Sequence, residues 1–271
     1  WREIFYLRKI LNKNKIHDLW ILDKINRPAI AGFISNTKNV FGYGIGLQKI
    51  FLTNKNYLIK HDLKTHYILR GKRFLELMNF NKTYEEPLIG INHEQAQSIR
   101  KKLNLSDKVI ISYGVDSREP HRMWPAKKFV ELIKNISKKT NAQHCLISSP
   151  SNQKIVLKII EKLSSSNVYD CSQLKIKDIA PLLKISKIFI GNDSGPYNLS
   201  AAVGTTAIGI NGALKPLTHS KHFVPITPRG GDKYSLNDRP IDKFGREIKE
   251  SWIQDRILVS QVYEAFLENI N

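Results

Sequence analysis

The chain has 271 residues, 41% hydrophobic and 25% charged, which suits a soluble globular protein long enough for two domains and excludes a disordered one. Its 43 Lys and Arg against 24 Asp and Glu give a formal charge of +19, which attracts polyanions: nucleic acid, anionic lipid or phosphorylated glycan. The lysines are scattered in pairs such as Lys101-Lys102, Lys127-Lys128 and Lys138-Lys139, a pattern that a solvated surface also explains; no aromatic-interleaved basic motif points to nucleic acid.

The first residues, from Trp1 through Ile4, Phe5, Leu7 and Leu11, have the spacing of an amphipathic helix over Arg2–Asn12, and the chain reads as opening at an interior point of a longer product. A strand Leu19–Leu22, a second strand Ala29–Phe33, a Gly-rich turn Gly42–Gly46 and helices near Leu63–Met78 and His93–Leu103 follow. This half lacks a first strand with a phosphate loop, so an incomplete α/β domain is expected over residues 1–86, ending at Glu85-Glu86-Pro87.

From Lys108 short apolar runs alternate with helical patterns, the rhythm of a doubly wound parallel sheet. The strands are Lys108–Tyr113, His144–Ser148, Val168–Cys171, Ile188–Gly191 and Thr206–Ile210, with helices Pro125–Lys138, Asn152–Leu163, Ile176–Leu183 and Gly195–Val203 between them. Past Pro216 the chain reads as a loop rich in Pro, Gly and charge, and then as a helix over about Glu250–Asn269. The expected domains are 1–86, 87–249 and a C-terminal helix in 250–271 that packs back on the N-terminal domain. Cys145 and Cys171 fall in strand-like segments without pair spacing, and no signal peptide is visible; they read as core thiols of a cytoplasmic protein. No run approaches the ~20 apolar residues that cross a bilayer, so membrane contact is expected to be peripheral.

Two segments carry chemistry. In Ile188-Phe189-Ile190-Gly191-Asn192-Asp193-Ser194-Gly195-Pro196 an apolar strand runs into a turn that opens a small-residue helix, and the free N–H groups there suit a phosphate; a plain N-cap and tight turn would use the same residues. In Ser112-Tyr113-Gly114-Val115-Asp116-Ser117-Arg118-Glu119-Pro120-His121-Arg122-Met123-Trp124-Pro125 a polar loop follows the first strand of this half. It offers Ser117 as a donor and Arg118 and Arg122 as cations for a diphosphate, or else two solvated arginines beside a Trp-Pro packing corner. The scattered His residues form no convincing metal-ligand cluster, and no cofactor is expected.

Together the polar loop, basic residue and Trp-Pro, then Asp-Ser-Gly-Pro with Ala201-Ala202-Val203-Gly204, resemble glycosyltransferase family 9, the ADP-heptose:lipopolysaccharide heptosyltransferases. The resemblance is close over Lys108–Gly212 and loose elsewhere. It implies a GT-B type α/β fold, with two Rossmann-like domains facing one cleft, the N-terminal one incomplete here. It implies an inverting transfer of heptose from ADP-heptose to an anionic inner-core glycolipid at the inner face of the cytoplasmic membrane, with part of the +19 charge docking on that membrane. Other readings are a transferase of another nucleotide-activated sugar in surface glycan assembly, a GT-B type epimerase, or a non-catalytic nucleotide- or polyanion-binding protein.

By the same resemblance Arg122 and Ser117 reach the donor phosphates, Asp193 lies near the donor sugar, and Ser194-Gly195 form the turn at the helix start, with Lys215 a further candidate to stabilise the leaving group. Where the family usually has His on the first helical turn, this chain has Asn198, which donates a hydrogen bond but carries no charge. The general base implied by the family is an Asp in a Gly-rich loop that no segment here matches, so it is expected before Trp1.

Overall fold

The structure is a computed structural model and describes residues 1–59, 61–64, 67–80, 86, 88–118, 120–211, 220–228 and 256–270. It divides into two compact units, Trp1–Glu85 and Glu86–Asn271.

In the N-terminal unit α1 (Arg2–Lys13) precedes a parallel pair, β1 (Asp18–Ile21) and β2 (Asn39–Gly42), joined by α2 (Asn26–Phe33). The run Ala29–Phe33 is therefore helical, not the expected strand, and β2 is the strand that sequence patterning missed. An unbroken apolar run has no period to choose between the two states, whereas a parallel pair needs a crossover, and this run supplies it. Gly32 lets α2 lie close to the pair: a Cβ there would stand 2.8 Å from Val40 Cγ2 and 2.9 Å from Leu19 Cδ2. Ile4 and Leu11 of α1 pack on Ala31 of α2. The expected Gly-rich turn is divided between the end of β2 at Gly42 and a short 3-10 helix, Gly46–Phe51, and α3 (Tyr67–Leu77) seats Phe74 edge-on against Tyr43. Buried Gln48 ties the loops after β1 and β2 together, accepting from Gly44 N (2.9 Å) and donating to the carbonyls of Asp23 and Ile25 (both 3.0 Å).

The C-terminal unit begins with α4 (His93–Lys102), which Asn92 and Gln95 close with a capping box. Then come β3 (Ile110–Gly114), α5 (Ala126–Lys139), β4 (Gln143–Ile147), α6 (Gln153–Leu163), β5 (Val168–Asp170), α7 (Ile176–Ile185), β6 (Ile188–Asn192), α8 (Gly195–Ala202), β7 (Thr206–Ile210), β8 (Phe223–Ile226) and α9 (Val259–Asn269). Among the described residues the sheet is parallel, in the order β5-β4-β3-β6-β7-β8. Alternation along the strands supplies two cores. Ile111, Tyr113, Leu146, Ile188, Ile190 and Ile208 face α5, α6 and α9, while Ile110, Cys145, Ile147, Phe189 and Ala207 face α4, α7 and α8. The two cysteines are buried and free, as core thiols.

Two expectations past Pro216 are corrected. The stretch read as loop contains β8, the edge strand of the sheet among the described residues, and an edge is where Pro225 costs least because one side of the strand need not complete a ladder. The last helix, expected from about Glu250, begins at Val259; residues 250–255 lie outside the described residues, and 256–258 are not α-helical. Its apolar stripe, Val259, Val262, Ala265 and Phe266, is buried in the core of the C-terminal unit.

Candidate functional site

The sheet order reverses between β3 and β6, which are neighbours in the sheet although β4 and β5 separate them in sequence. At such a switch point the connections leave in opposite directions and open a crevice at the carboxyl ends of the strands. Gly114 and Gly191 face one another in register there. A Cβ on Gly191 would stand 2.7 Å from Gly114 N and 2.8 Å from Gly114 Cα, so the glycines keep the two strands in contact. Gly209 continues the row on β7, and a Cβ there would fall 2.3 Å from the Tyr197 ring. The row makes room for the rings of Phe189 and Tyr197, which stack 6.5 Å apart and seat α8 on the sheet.

Beyond β6, Asp193 and Ser194 lead into α8 at Gly195. Ser194 is the N-cap residue with extended backbone, but its hydroxyl makes no capping bond, so the side-chain cap expected of Asp-Ser-Gly is not formed at this residue. Uncapped first-turn N–H groups and the positive end of the helix dipole are what an anion requires. Pro196 removes one such donor while presetting the helical φ. Burial raises the Asp193 carboxyl above its ordinary value of 3.8, and the Arg122 guanidinium pulls it the other way. The structure thus brings Asp193 and Arg122, 71 positions apart in the numbering, into one electrostatic environment. Asn198 turns its Nδ2 back to the Ser194 carbonyl (3.1 Å) and steadies the first turn.

Beyond β3 the loop carries Asp116 and Ser117, both buried, and then Arg118, which lies exposed. A short 3-10 turn, Pro120–Arg122, delivers Arg122 two residues before Trp124. Trp124 is anchored twice: its backbone N–H donates to Asn192 Oδ1 (2.9 Å) and its indole Nε1 to the Ile257 carbonyl (3.0 Å). Lys128 Nζ donates to that same carbonyl (2.9 Å). Residues just ahead of α9 therefore help to fix the segment that bears Arg122. The fully buried Asn192 directly links β6 to the segment that follows the β3 loop, and it is a residue that sequence reasoning passed over. The signal was present, since a lone polar residue ends a strand that is otherwise apolar apart from glycine. The structure gathers Arg122, Asp193, Ser194 and Gly195 at the switch point, with Ser117 on the β3 loop and Asn198 one turn into α8. Lys215 lies outside the described residues.

No cluster of three or more His, Cys, Asp or Glu suited to a metal ion occurs among the described residues, and none of their helices is long and apolar enough to cross a membrane.

Residues 24–239 match the family model described as glycosyltransferase family 9 (heptosyltransferase). The chain belongs to that family. This family 9 chain is 23% identical over 215 residues to lipopolysaccharide heptosyltransferase 1 of Campylobacter coli, a match covering 74% of this chain and 62% of the relative, so it spans less than two thirds of that relative's length. Among solved structures it is similar to the family 9 glycosyl transferase of Veillonella parvula, with a TM-score of 0.77, 18% identity and coverage of 98% of this chain and 77% of that one. It is also similar to an E. coli heptosyltransferase with ADP-2-deoxy-2-fluoro heptose, with a TM-score of 0.70, 15% identity and coverage of 99% and 77%. At these identities the likeness concerns the fold, and the fold is the GT-B type α/β architecture with parallel sheets.

Proposed function

We propose that this chain carries the donor-binding side of an inverting glycosyltransferase that moves heptose from ADP-heptose to an anionic lipopolysaccharide inner-core acceptor. The observation that supports this best is the convergence of Arg122, Asp193 and the uncapped start of α8 on the switch point of a doubly wound sheet, in a family 9 chain. In the reaction an acceptor oxygen forms a bond to the anomeric carbon while the bond from that carbon to the nucleoside diphosphate breaks. The leaving group departs with the electron pair, and the acceptor's proton passes to a general base.

The proposed donor-side residues are Ser117, Arg118, Arg122, Asp193, Ser194, Gly195 and Asn198. Arg122 and the first-turn N–H groups of α8 stabilise the negative charge that develops on the leaving diphosphate, held in place before the charge appears, so little reorganisation opposes the step. Asp193, kept partly out of water, faces the sugar rather than the phosphates, which its charge would repel. None of these residues is proposed as the general base. The charge of +19 supports a peripheral site of action at an anionic membrane face, and binding to anionic vesicles should then fall between low and high salt.

Thermal-shift measurements with ADP, UDP and GDP at equal concentration test the donor, because the ligand that binds the folded state most tightly stabilises it most. ADP is expected to raise the melting temperature most; stabilisation by UDP alone would sink the ADP-heptose reading. Arg122→Ala is expected to weaken ADP by roughly tenfold to a hundredfold while leaving adenosine unchanged, since it removes a charge-assisted phosphate contact. Equal losses for both ligands would remove Arg122 from the phosphate site. Asn198 favours a second reading, transfer of a different nucleotide-activated sugar, because it cannot supply the charge of the His usual in the family.

A further inference from the structure

The carboxyl edge of the sheet has a second polar network, on the side of β3 away from Arg122. Asp116 is 9% exposed, and its Oδ2 accepts three hydrogen bonds from the turn between β4 and α6: from Ser149 N–H (2.9 Å), Ser149 Oγ (2.7 Å) and Asn152 Nδ2 (3.1 Å). The next residue, Gln153, which opens α6, donates Nε2 to Asp170 Oδ2 at the end of β5 (2.9 Å), and Asp170 Oδ1 accepts from Ser172 N–H (2.8 Å). Burial pushes the Asp170 carboxyl up, but the hydrogen bonds from Ser172 and Gln153 outweigh it and hold the group below its ordinary value of 3.8. The β4–α6 turn and the first residue of α6 are thus held by two carboxylates, one from the loop after β3 and one from the end of β5.

We infer that Asp116 is a positioning residue for the nucleoside half of the donor: it fixes the β4–α6 turn against the β3 loop and so shapes the wall beside the diphosphate site. The inference rests on the donor-site reading above. Its own ground is the charge arrangement along the edge. The crevice beside β6 presents a guanidinium and a helix N-terminus, which suit the diphosphate. The edge over β4 and β5 presents two carboxylates with serine and amide groups, which repel phosphate and suit the uncharged hydroxyl and amine groups of a nucleoside. A turn held by three hydrogen bonds to one carboxylate oxygen keeps its shape before the ligand arrives, so less ordering opposes binding.

Calorimetric titration of the full chain with ADP and with inorganic pyrophosphate tests this. Asp116→Ala is expected to weaken ADP at least about tenfold while pyrophosphate changes by less than about twofold. Asp116→Asn should restore ADP binding to within about threefold, because its amide oxygen can take the place of Oδ2 and accept the same donors. Asn152→Ala removes one of the three donors without touching the carboxylate, and should weaken ADP by a few-fold with the same ligand split. That variant decides the matter if Asp116→Ala does not fold. Unchanged ADP affinity in a folded Asp116→Ala or in Asn152→Ala, or equal losses for ADP and pyrophosphate, overturns the inference and leaves the donor site standing. A wild-type chain that binds neither ligand removes the donor site and this inference with it.

Discussion

His144 makes the pH dependence of this fold calculable. The ring is buried on β4 between Tyr113 Oη, 2.9 Å from Nδ1, and Ser137 Oγ, 2.9 Å from Nε2. Ser137 already donates its proton to the Ile133 carbonyl (2.8 Å), so it can only accept from the ring. This assigns the proton to Nε2 and leaves Nδ1 to accept from the buried tyrosine hydroxyl. A second ring proton on Nδ1 would oblige the tyrosine hydroxyl to turn its own proton away from the ring, and the charged ring would be buried. Desolvation alone brings the histidine down from 6.5 to about 4. Between these values the unfolded chain binds a proton that the folded chain refuses. The stability contribution is therefore complete above pH 6.5 and is lost as the pH falls toward 4. That interval, at about 1.4 kcal/mol per pH unit, amounts to about 3–4 kcal/mol, a large share of the ~5–15 kcal/mol by which a domain is stable. The assay is urea unfolding of the wild-type chain and of His144→Gln, whose amide can meet both hydroxyls without titrating. The wild-type unfolding free energy should decline over pH 6.5 to 4 more steeply than the variant's, which keeps only the slope that carboxylates such as Asp170 and Asp193 contribute near the acid end. Parallel pH profiles for the two, or a His144 ring resonance that titrates near 6.5 in the folded protein, would refute the reasoning.

Three further outcomes follow from the switch point. Gly191→Ala should lower the melting temperature by an amount equivalent to about 1–3 kcal/mol, because its Cβ meets the Gly114 backbone, which no rotamer change relieves; ADP affinity should fall with it as the β3 and β6 loops are forced apart. Gly195→Ala meets nothing within 4 Å and should leave the melting temperature unchanged or slightly raised, yet still weaken ADP by several-fold if phosphate packs against that turn; a variant that binds ADP as the wild type does would move the phosphate elsewhere. Asn198→His places an ionisable group on the first turn of α8 and should tighten ADP by roughly twofold to fivefold at pH 6 but not at pH 8, read by calorimetry; an effect independent of pH would show that charge is not the cause.

What could be read from the sequence was what repeats or what is locally forced. The alternation from Lys108 onward located β3, β4, β5, β6 and β7 and the helices between them to within about two residues, because burial on both faces makes each such strand a short apolar run that differs sharply from its neighbours. Arg122 and Asp193 were legible as members of two polar segments following apolar strands. Where the local signal was ambiguous, the sequence did not decide. Ala29–Phe33 became a helix because a parallel pair demanded a crossover, and β8, at the sheet's edge among the described residues, was hidden by Pro225, a residue that argues against a central strand. The positioning residues lay deeper still. Asn192, Asp116 and the Ile257 carbonyl do their work on Trp124 or on the β4–α6 turn at separations of 68, 33 and 133 residues, and no spacing rule reaches across such distances. Residue types and strand rhythm determined the kind of domain and the chemistry it holds. Only the order of the strands, with β3 laid beside β6, decided which of those residues meet, because hydrogen bonds and Coulomb forces act through space and are indifferent to separation along the chain.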